Sequence, residues 1–159
     1  MKVIVTGGCG LIGSHICDFY SRKGAEVISF DNLTKHELER TGYDVVAARN
    51  HVIDSLKAMN VNIVKEEDIR NKEALLEAAK NGDYIVHTAA QPAKTISIEN
   101  PKLDLSTNVV GIFNVLEAAR KYGISKAKEK LRWRPETSNR ECVRKLADWI
   151  QRNIAIFRG

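Results

Sequence analysis

The sequence predicts an α/β domain, a parallel sheet with helices on both of its faces. Two observations carry that reading. Four short apolar runs, at residues 3–5, 27–30, 61–64 and 84–87, are separated by stretches of helical period at 11–22, 44–59 and 71–80. The first run also ends in a glycine cluster, Gly7, Gly8, Gly10 and Gly13, that opens the first of those helices. Strands alternating with helices are joined by crossovers, which run parallel and right-handed. Four strands wound in this way take the order 3-2-1-4.

Each element has its own signal. Asp31-Asn32 stops the second strand. Within 44–59, Val45, Ala48, Val52, Ile53, Leu56 and Met59 fall on one helical face. A long helix is expected over 105–121, with Val109, Ile112, Phe113, Leu116 and Ala119 on its apolar side and Gly123 where a C-terminal cap belongs. Residues 125–131 and 138–153 read as two further helices, separated by Trp133-Arg134-Pro135. The expected division is therefore an α/β unit at 1–124 and a C-terminal helical segment at 125–159.

Composition narrows the function classes. At 159 residues, 43% hydrophobic and 28% charged, the chain is an ordinary globular protein. Its apolar runs are far shorter than the roughly 20 residues a membrane helix needs, and its start, soon broken by glycine, is unlike a signal peptide. A cytoplasmic chain without a membrane partner is expected. Cys9, Cys17 and Cys142 are an odd number without paired spacing, which argues against disulfides and zinc. Cys9 lies in the glycine turn, either as a reactive thiol near a helix N-terminus or as a small residue that fits. The net charge of +5 comes from dispersed basic residues. The densest group, Lys126, Lys128, Lys130, Arg132 and Arg134, is interrupted by Glu129 and has no aromatic stacking platform, so nucleic acid is not an expected partner.

The pattern Gly7-Gly8-Cys9-Gly10-Leu11-Ile12-Gly13 carries most of the chemistry. Between a strand and a helix, Gly7 permits a sharp turn, Gly10 lets backbone approach a pyrophosphate, and Gly13 lets the helix pack closely. The N–H groups at Leu11, Ile12 and Gly13 then face the phosphates with the positive end of the helix dipole. Asp31 ends the second strand where an acid meets the adenosine ribose, and its carboxylate repels a 2′-phosphate. NAD is thus expected over NADP, with Lys35 close enough to soften the preference.

Together these residues resemble the extended short-chain dehydrogenase/reductase family, the NAD-dependent nucleotide-sugar epimerases and dehydratases with a Rossmann-type fold. The resemblance rests on residues 6–13, on Asp31-Asn32-Leu33, Asp68-Ile69-Arg70 and His87-Thr88-Ala89-Ala90-Gln91, and on the run from Asn108 to Arg120. Gln91 followed by Thr95 and Ser97 looks most like the CDP-paratose 2-epimerases, with the UDP-glucose 4-epimerases close. The resemblance implies NAD as cofactor and a nucleotide-sugar as partner. It implies that Asp31 and Asn32 hold the adenosine ribose and that Asp68 and Ile69 flank the adenine, with the Asp68 carboxylate on the exocyclic amine. Thr88, Ala89 and Ala90 would line the pyrophosphate and nicotinamide-ribose side, and Asn108 would stabilise the loop beneath. Asp68 and Asn108 also have bland readings, as a turn cap and as a partner for buried backbone.

Residues 124–138 resemble the far end of the same family, so the expected fold is a truncated one that lacks the family's middle. The family's base is a tyrosine assisted by a lysine four residues on, with a serine or threonine on the fifth strand. A literal match exists at Tyr122 and Lys126, but Gly123 between them is a helix stop, and chance is the simpler account. A cofactor-binding protein without confident catalytic residues is expected. The alternatives are an active epimerase using Tyr122 and Lys126, with Ser125 a weaker third member, and an interaction module. The fourth strand, without its neighbour, becomes an apolar edge, so self-association is expected; the tail at 154–157 could also pair with it.

Overall fold

The computed structural model describes residues 1–34, 45–65, 67–124 and 144, with the side chains of Val45, Val64 and Lys65 left aside. The chain divides into two compact units, Met1–Ser125 and Lys126–Gly159, and every element below lies in the first. Lys35, Lys126, the two C-terminal helices and the 154–157 tail expected from the sequence lie outside the described residues.

The order of elements is β1 (Lys2–Thr6), α1 (Leu11–Arg22), β2 (Glu26–Asp31), α2 (Val45–Ala58), β3 (Asn62–Lys65), α3 (Lys72–Ala79) and β4 (Tyr84–His87), then α4 (Lys94–Glu99), α5 (Pro101–Leu105), a π-helical turn (Ser106–Gly111) and α6 (Ile112–Tyr122). The strands form one parallel sheet in the order β3-β2-β1-β4, the expected Rossmann-type order. Because helices cover both faces, the inner strands are apolar throughout rather than alternating. Val3, Val5 and Val27 pack with Cys17 of α1 and with Ile53 and Leu56 of α2. Ile4, Ile28 and Phe30 pack on the other side with Leu75 and Ala79 of α3 and with Val115 and Ala118 of α6.

Local chemistry sets the helix ends. Asn71 caps α3 by accepting the Ala74 N–H at 3.3 Å. Asn100 caps α5 in the same way at Leu103, with Pro101 in the first turn. Gly123, at φ +61°, closes α6 in the left-handed conformation, and the Ile124 N–H reaches back to the Ala119 carbonyl at 2.9 Å.

Two expectations require correction. The single helix over 105–121 is two α-helices joined by a π turn, and α4 ahead of it was not anticipated. Of the expected face only Ala119 packs against the core; Val109, Ile112, Phe113 and Leu116 do not point into it, Val109 being 57% exposed, Phe113 56% and Leu116 62%. The buried residues are Gly111, Asn114, Val115 and Ala118. The cause is steric. Here the chain approaches Ile69 and α3 closely, and a Cβ at Gly111 would collide with the Ile69 side chain. Gly111, with Asn114, Val115 and Ala118 after it, therefore faces inward while Phe113 and Leu116 face outward, and the π turn's extra residue breaks the helical count. Ala48 of α2 is likewise exposed.

The β4 residues are only half-buried, and β4 is the outer strand on that side of the sheet. The expected apolar edge is present among the described residues.

Urea denaturation separates the two faces of α6. Ala118→Leu, overpacking a fully buried position, is expected to cost about 1–3 kcal/mol. Phe113→Ser should stay within roughly 0.5 kcal/mol. The reverse ranking would restore the inward face expected from sequence.

Candidate functional site

A cleft of about 890 Å³ opens at the carboxyl ends of the strands, where parallel α/β sheets place their ligands. Register sets its floor. Thr6 pairs with Phe30 on one side and His87 on the other, so Gly7 lies between the ends of β2 and β4. Gly7 turns there at φ +70°, and a Cβ on it would stand 2.7 Å from the Ala89 nitrogen. Gly13 packs so closely on Gly7 and Gly8 that a Cβ would strike the Gly7 carbonyl. At Gly10 a Cβ would meet only the Gly7 carbonyl oxygen, at 3.1 Å, leaving the cleft side open. The N-cap of α1, Gly10, supplies no side-chain hydrogen bond, and the first turn holds no acidic residue. Leu11 and Ile12 are exposed. The helix end thus offers uncapped N–H groups to an anion.

Asp31 has a structural task as well. Its Oδ2 accepts the Cys9 N–H at 2.9 Å and its Oδ1 accepts the Leu33 N–H at 2.7 Å, tying the glycine turn to the end of β2. Asn32 accepts from the Thr34 N–H and hydroxyl and donates from Nδ2 to Asp68 at 2.8 Å. Asp68 is the most committed carboxylate. Oδ1 takes the Arg70 N–H and Nε at 2.9 Å each, and Oδ2 takes Arg70 Nη2 at 2.7 Å beside Asn32. A carboxylate has about four lone-pair sites, so a contact with an exocyclic amine requires one of these partners to leave. Burial pushes the Asp68 carboxyl up, but its hydrogen bonds from Arg70 and Asn32 and the Arg70 charge outweigh that and hold it at about 2. The Ile69 side chain is in the core, so only its backbone side faces outward; buried Asn114 donates to the Ile69 and Arg70 carbonyls.

On the other side, the Thr88 hydroxyl donates to the Thr6 carbonyl at 2.7 Å. Asn108 clamps the main chain of Gln91, accepting its N–H at 2.9 Å and donating to its carbonyl at 3.0 Å. His87 contacts Thr6 Oγ1 through Nδ1 at 2.6 Å, and burial favours its neutral form. Cys9 is 2% exposed, against Ser29, which fits the small-residue reading rather than a reactive thiol. Burial, with Cys9 and Asp31 nearby, pushes the Cys17 thiol up to about 12.

The cleft thus brings together Gly7, Gly10, Leu11, Asp31, Asn32, Asp68, Ile69, Thr88, Ala89 and Ala90. Ile12, Gly13 and Asn108 support it without lining it. Tyr122 is elsewhere. It packs against the core two residues before Ile124, which lies beside Gly82 at the amino end of β4, the opposite end of the sheet. Sequence reasoning missed Arg49, Leu103 and Thr107, which also line the cleft, and gave Gln91 a place in the family motif but no role in the site. Asn100-Pro101, a helix-start signal, would have located the α5 wall. Among the described residues no cluster suits a metal ion, and no helix is long and apolar enough to cross a membrane.

Residues 3–128 match the model of the NAD dependent epimerase/dehydratase family, and the chain belongs to that family. It is similar to a CDP-paratose 2-epimerase of Salmonella typhi, at 40% identity over 125 residues, covering 77% of this chain and 33% of the relative. A putative UDP-glucose 4-epimerase of Methanocaldococcus jannaschii is 36% identical, over 78% of this chain and 35% of its own. Among solved structures, the Thermus thermophilus UDP-glucose 4-epimerase complex with NAD superposes at TM-score 0.59 with 34% identity, covering 79% of this chain and 35% of that one. The Thermotoga maritima UDP-glucose 4-epimerase with UDP-glucose does so at 0.61 with 32% identity, over 78% and 35%. The chain spans about a third of the length of the curated relatives it matches.

The Asp68 pairing makes a pH-dependent contribution. Its carboxyl is held below the ordinary value of 3.8, so the stabilisation is full above that pH and is lost as pH falls toward about 2. Acid unfolding of wild type and Asp68→Asn should converge across that window. A difference that stays constant there would show that the pairing is not proton-linked.

Proposed function

We propose that this chain binds NAD and serves as the cofactor-holding part of a nucleotide-sugar epimerase or dehydratase. The observation that carries the reading is the uncapped N-terminus of α1, opened by a glycine turn and facing the same cleft as Asp31. The residues fit a dinucleotide. Gly10 leaves room for a diphosphate, the helix end supplies N–H donors, and Asp31 retains acceptor capacity for ribose hydroxyls beyond its two backbone bonds. Bound there, NAD would accept and return a hydride. The chain's own residues bind it and fix its position. Among the described residues that line the cleft there is no tyrosine or lysine, so the proton-transferring base of the family is assigned to none of these. The site of Tyr122, at the far end of the sheet, favours binding over chemistry as this unit's task. A nucleotide-sugar would meet the cofactor from the β4 side.

A second reading adds self-association, supported by the half-buried β4 edge and by the exposed apolar face of Val109, Phe113 and Leu116. Light scattering during gel filtration is expected to give a dimer that Phe113→Glu with Leu116→Glu converts to monomer. A monomeric wild type would remove this reading.

For the cofactor, calorimetric titration should show NAD binding that Asp31→Ala weakens by about tenfold, through loss of ribose acceptors and of the turn's anchor. Tyr122→Phe should leave it unchanged. An absence of NAD binding by the folded wild type would overturn the proposal.

A further inference from the structure

Gln91 follows Ala90 just past the carboxyl end of β4 and lines the cleft. Its backbone is fixed at both polar groups by Asn108. Asn108 is itself held, donating from Nδ2 to Asp104 Oδ1 at 2.9 Å, and that oxygen also accepts the Ser97 hydroxyl at 2.8 Å. Residues from α4, α5 and the π turn thus hold rigid the backbone from which the Gln91 side chain extends. At the end of that side chain, the carboxamide nitrogen is buried and has no hydrogen-bond partner among the described residues. Buried side-chain donors are nearly always paired. An unpaired one on a doubly anchored backbone, carried by a residue that lines a ligand cleft, is the arrangement of a preorganised binding group.

The order of the strands indicates what it binds. Asp31 and Asn32 lie at the end of β2, the glycine turn at the end of β1, and Gln91 beyond the end of β4, with β1 between the other two. A dinucleotide with its adenosine at Asp31 and its diphosphate at the N-terminus of α1 carries its second ribose toward Gln91. We infer that the Gln91 carboxamide donates a hydrogen bond to a hydroxyl oxygen of that second ribose and so reads the half of the dinucleotide that ADP lacks. The inference rests on the NAD-binding reading above.

The test compares wild type and Gln91→Leu by calorimetric titration with ADP, ADP-ribose and NAD, together with thermal melting of each protein without ligand. Wild type should bind ADP-ribose about fivefold or more tightly than ADP, and Gln91→Leu should lose that preference while its ADP affinity stays within about twofold. The ligand-free variant should melt at the same temperature or higher, because an orphaned donor has been removed. A purely structural role would instead lower the melting temperature and weaken ADP and ADP-ribose equally, and that result would overturn the inference. So would a variant that keeps the preference, or a wild type that binds ADP but gains nothing from the added ribose. Failure of the wild type to bind any of the three overturns the NAD reading and this inference together, whereas binding without the preference overturns this inference alone. Should Gln91→Leu not fold, Gln91→Glu, equal in length and without the donor, gives the same comparison.

Discussion

The Asp31 carboxylate, accepting one backbone N–H from Cys9 and another from Leu33, ties the glycine turn to the end of β2. On that tie depends where α1 begins, and hence where its free N–H groups face. The turn is crowded away from the cleft, with Gly7 against Ala89 and Gly13 against the Gly7 carbonyl. Turn, strand ends and helix therefore form one rigid piece, and the cleft above it is set by backbone rather than by mobile side chains. Charge-assisted bonds from backbone N–H to carboxylate are stronger than neutral ones. The residue expected to meet the ribose is thus also the one that shapes the glycine turn.

The remaining walls are built by the same device, a polar side chain spent on backbone. Asn114 fixes the Ile69–Arg70 carbonyls, Asn108 fixes Gln91, and Thr88 fixes the end of β1. Asp68 and Arg70 close the β2 side of the cleft by satisfying one another. Against these committed groups, the unpaired Gln91 nitrogen is an exception. The sheet is asymmetric in a related way. β1 and β2 are buried on both faces, whereas β4 is half-exposed and α6 presents its largest apolar residues outward. Burial of that face is the main packing opportunity left open among the described residues.

Much of this was legible in the sequence, for reasons of local physics. The strand order followed from alternation and handedness, and α1, α3 and β4 fell within a residue or so of their expected ends because Gly, Asn and apolar periodicity mark them sharply. The glycine turn was readable because each glycine has a steric cause. What misled was the segment after β4. There, periodicity selected the large apolar residues around Phe113 as the core face, but the face turned toward Ile69 and α3 is that of Gly111, Asn114, Val115 and Ala118. A π turn also leaves no sequence signal of its own. The local turn bonds of Asp31 to Leu33 and of Asp68 to Arg70 were readable as Asx-type turns, whereas the Asp31 bond to Cys9 and the Asp68 bond from Asn32 were illegible because the fold brings those groups together.

The most direct test of this picture is to follow backbone amide resonances of the folded protein as NAD is added. Binding as described should shift Gly10, Leu11 and Ile12 most, with Leu33 and Gln91 marking the two ends of the cleft, while Phe113 and Leu116 stay fixed. Shifts confined to the Phe113–Leu116 face, or none at all, would contradict a cofactor site at the glycine turn.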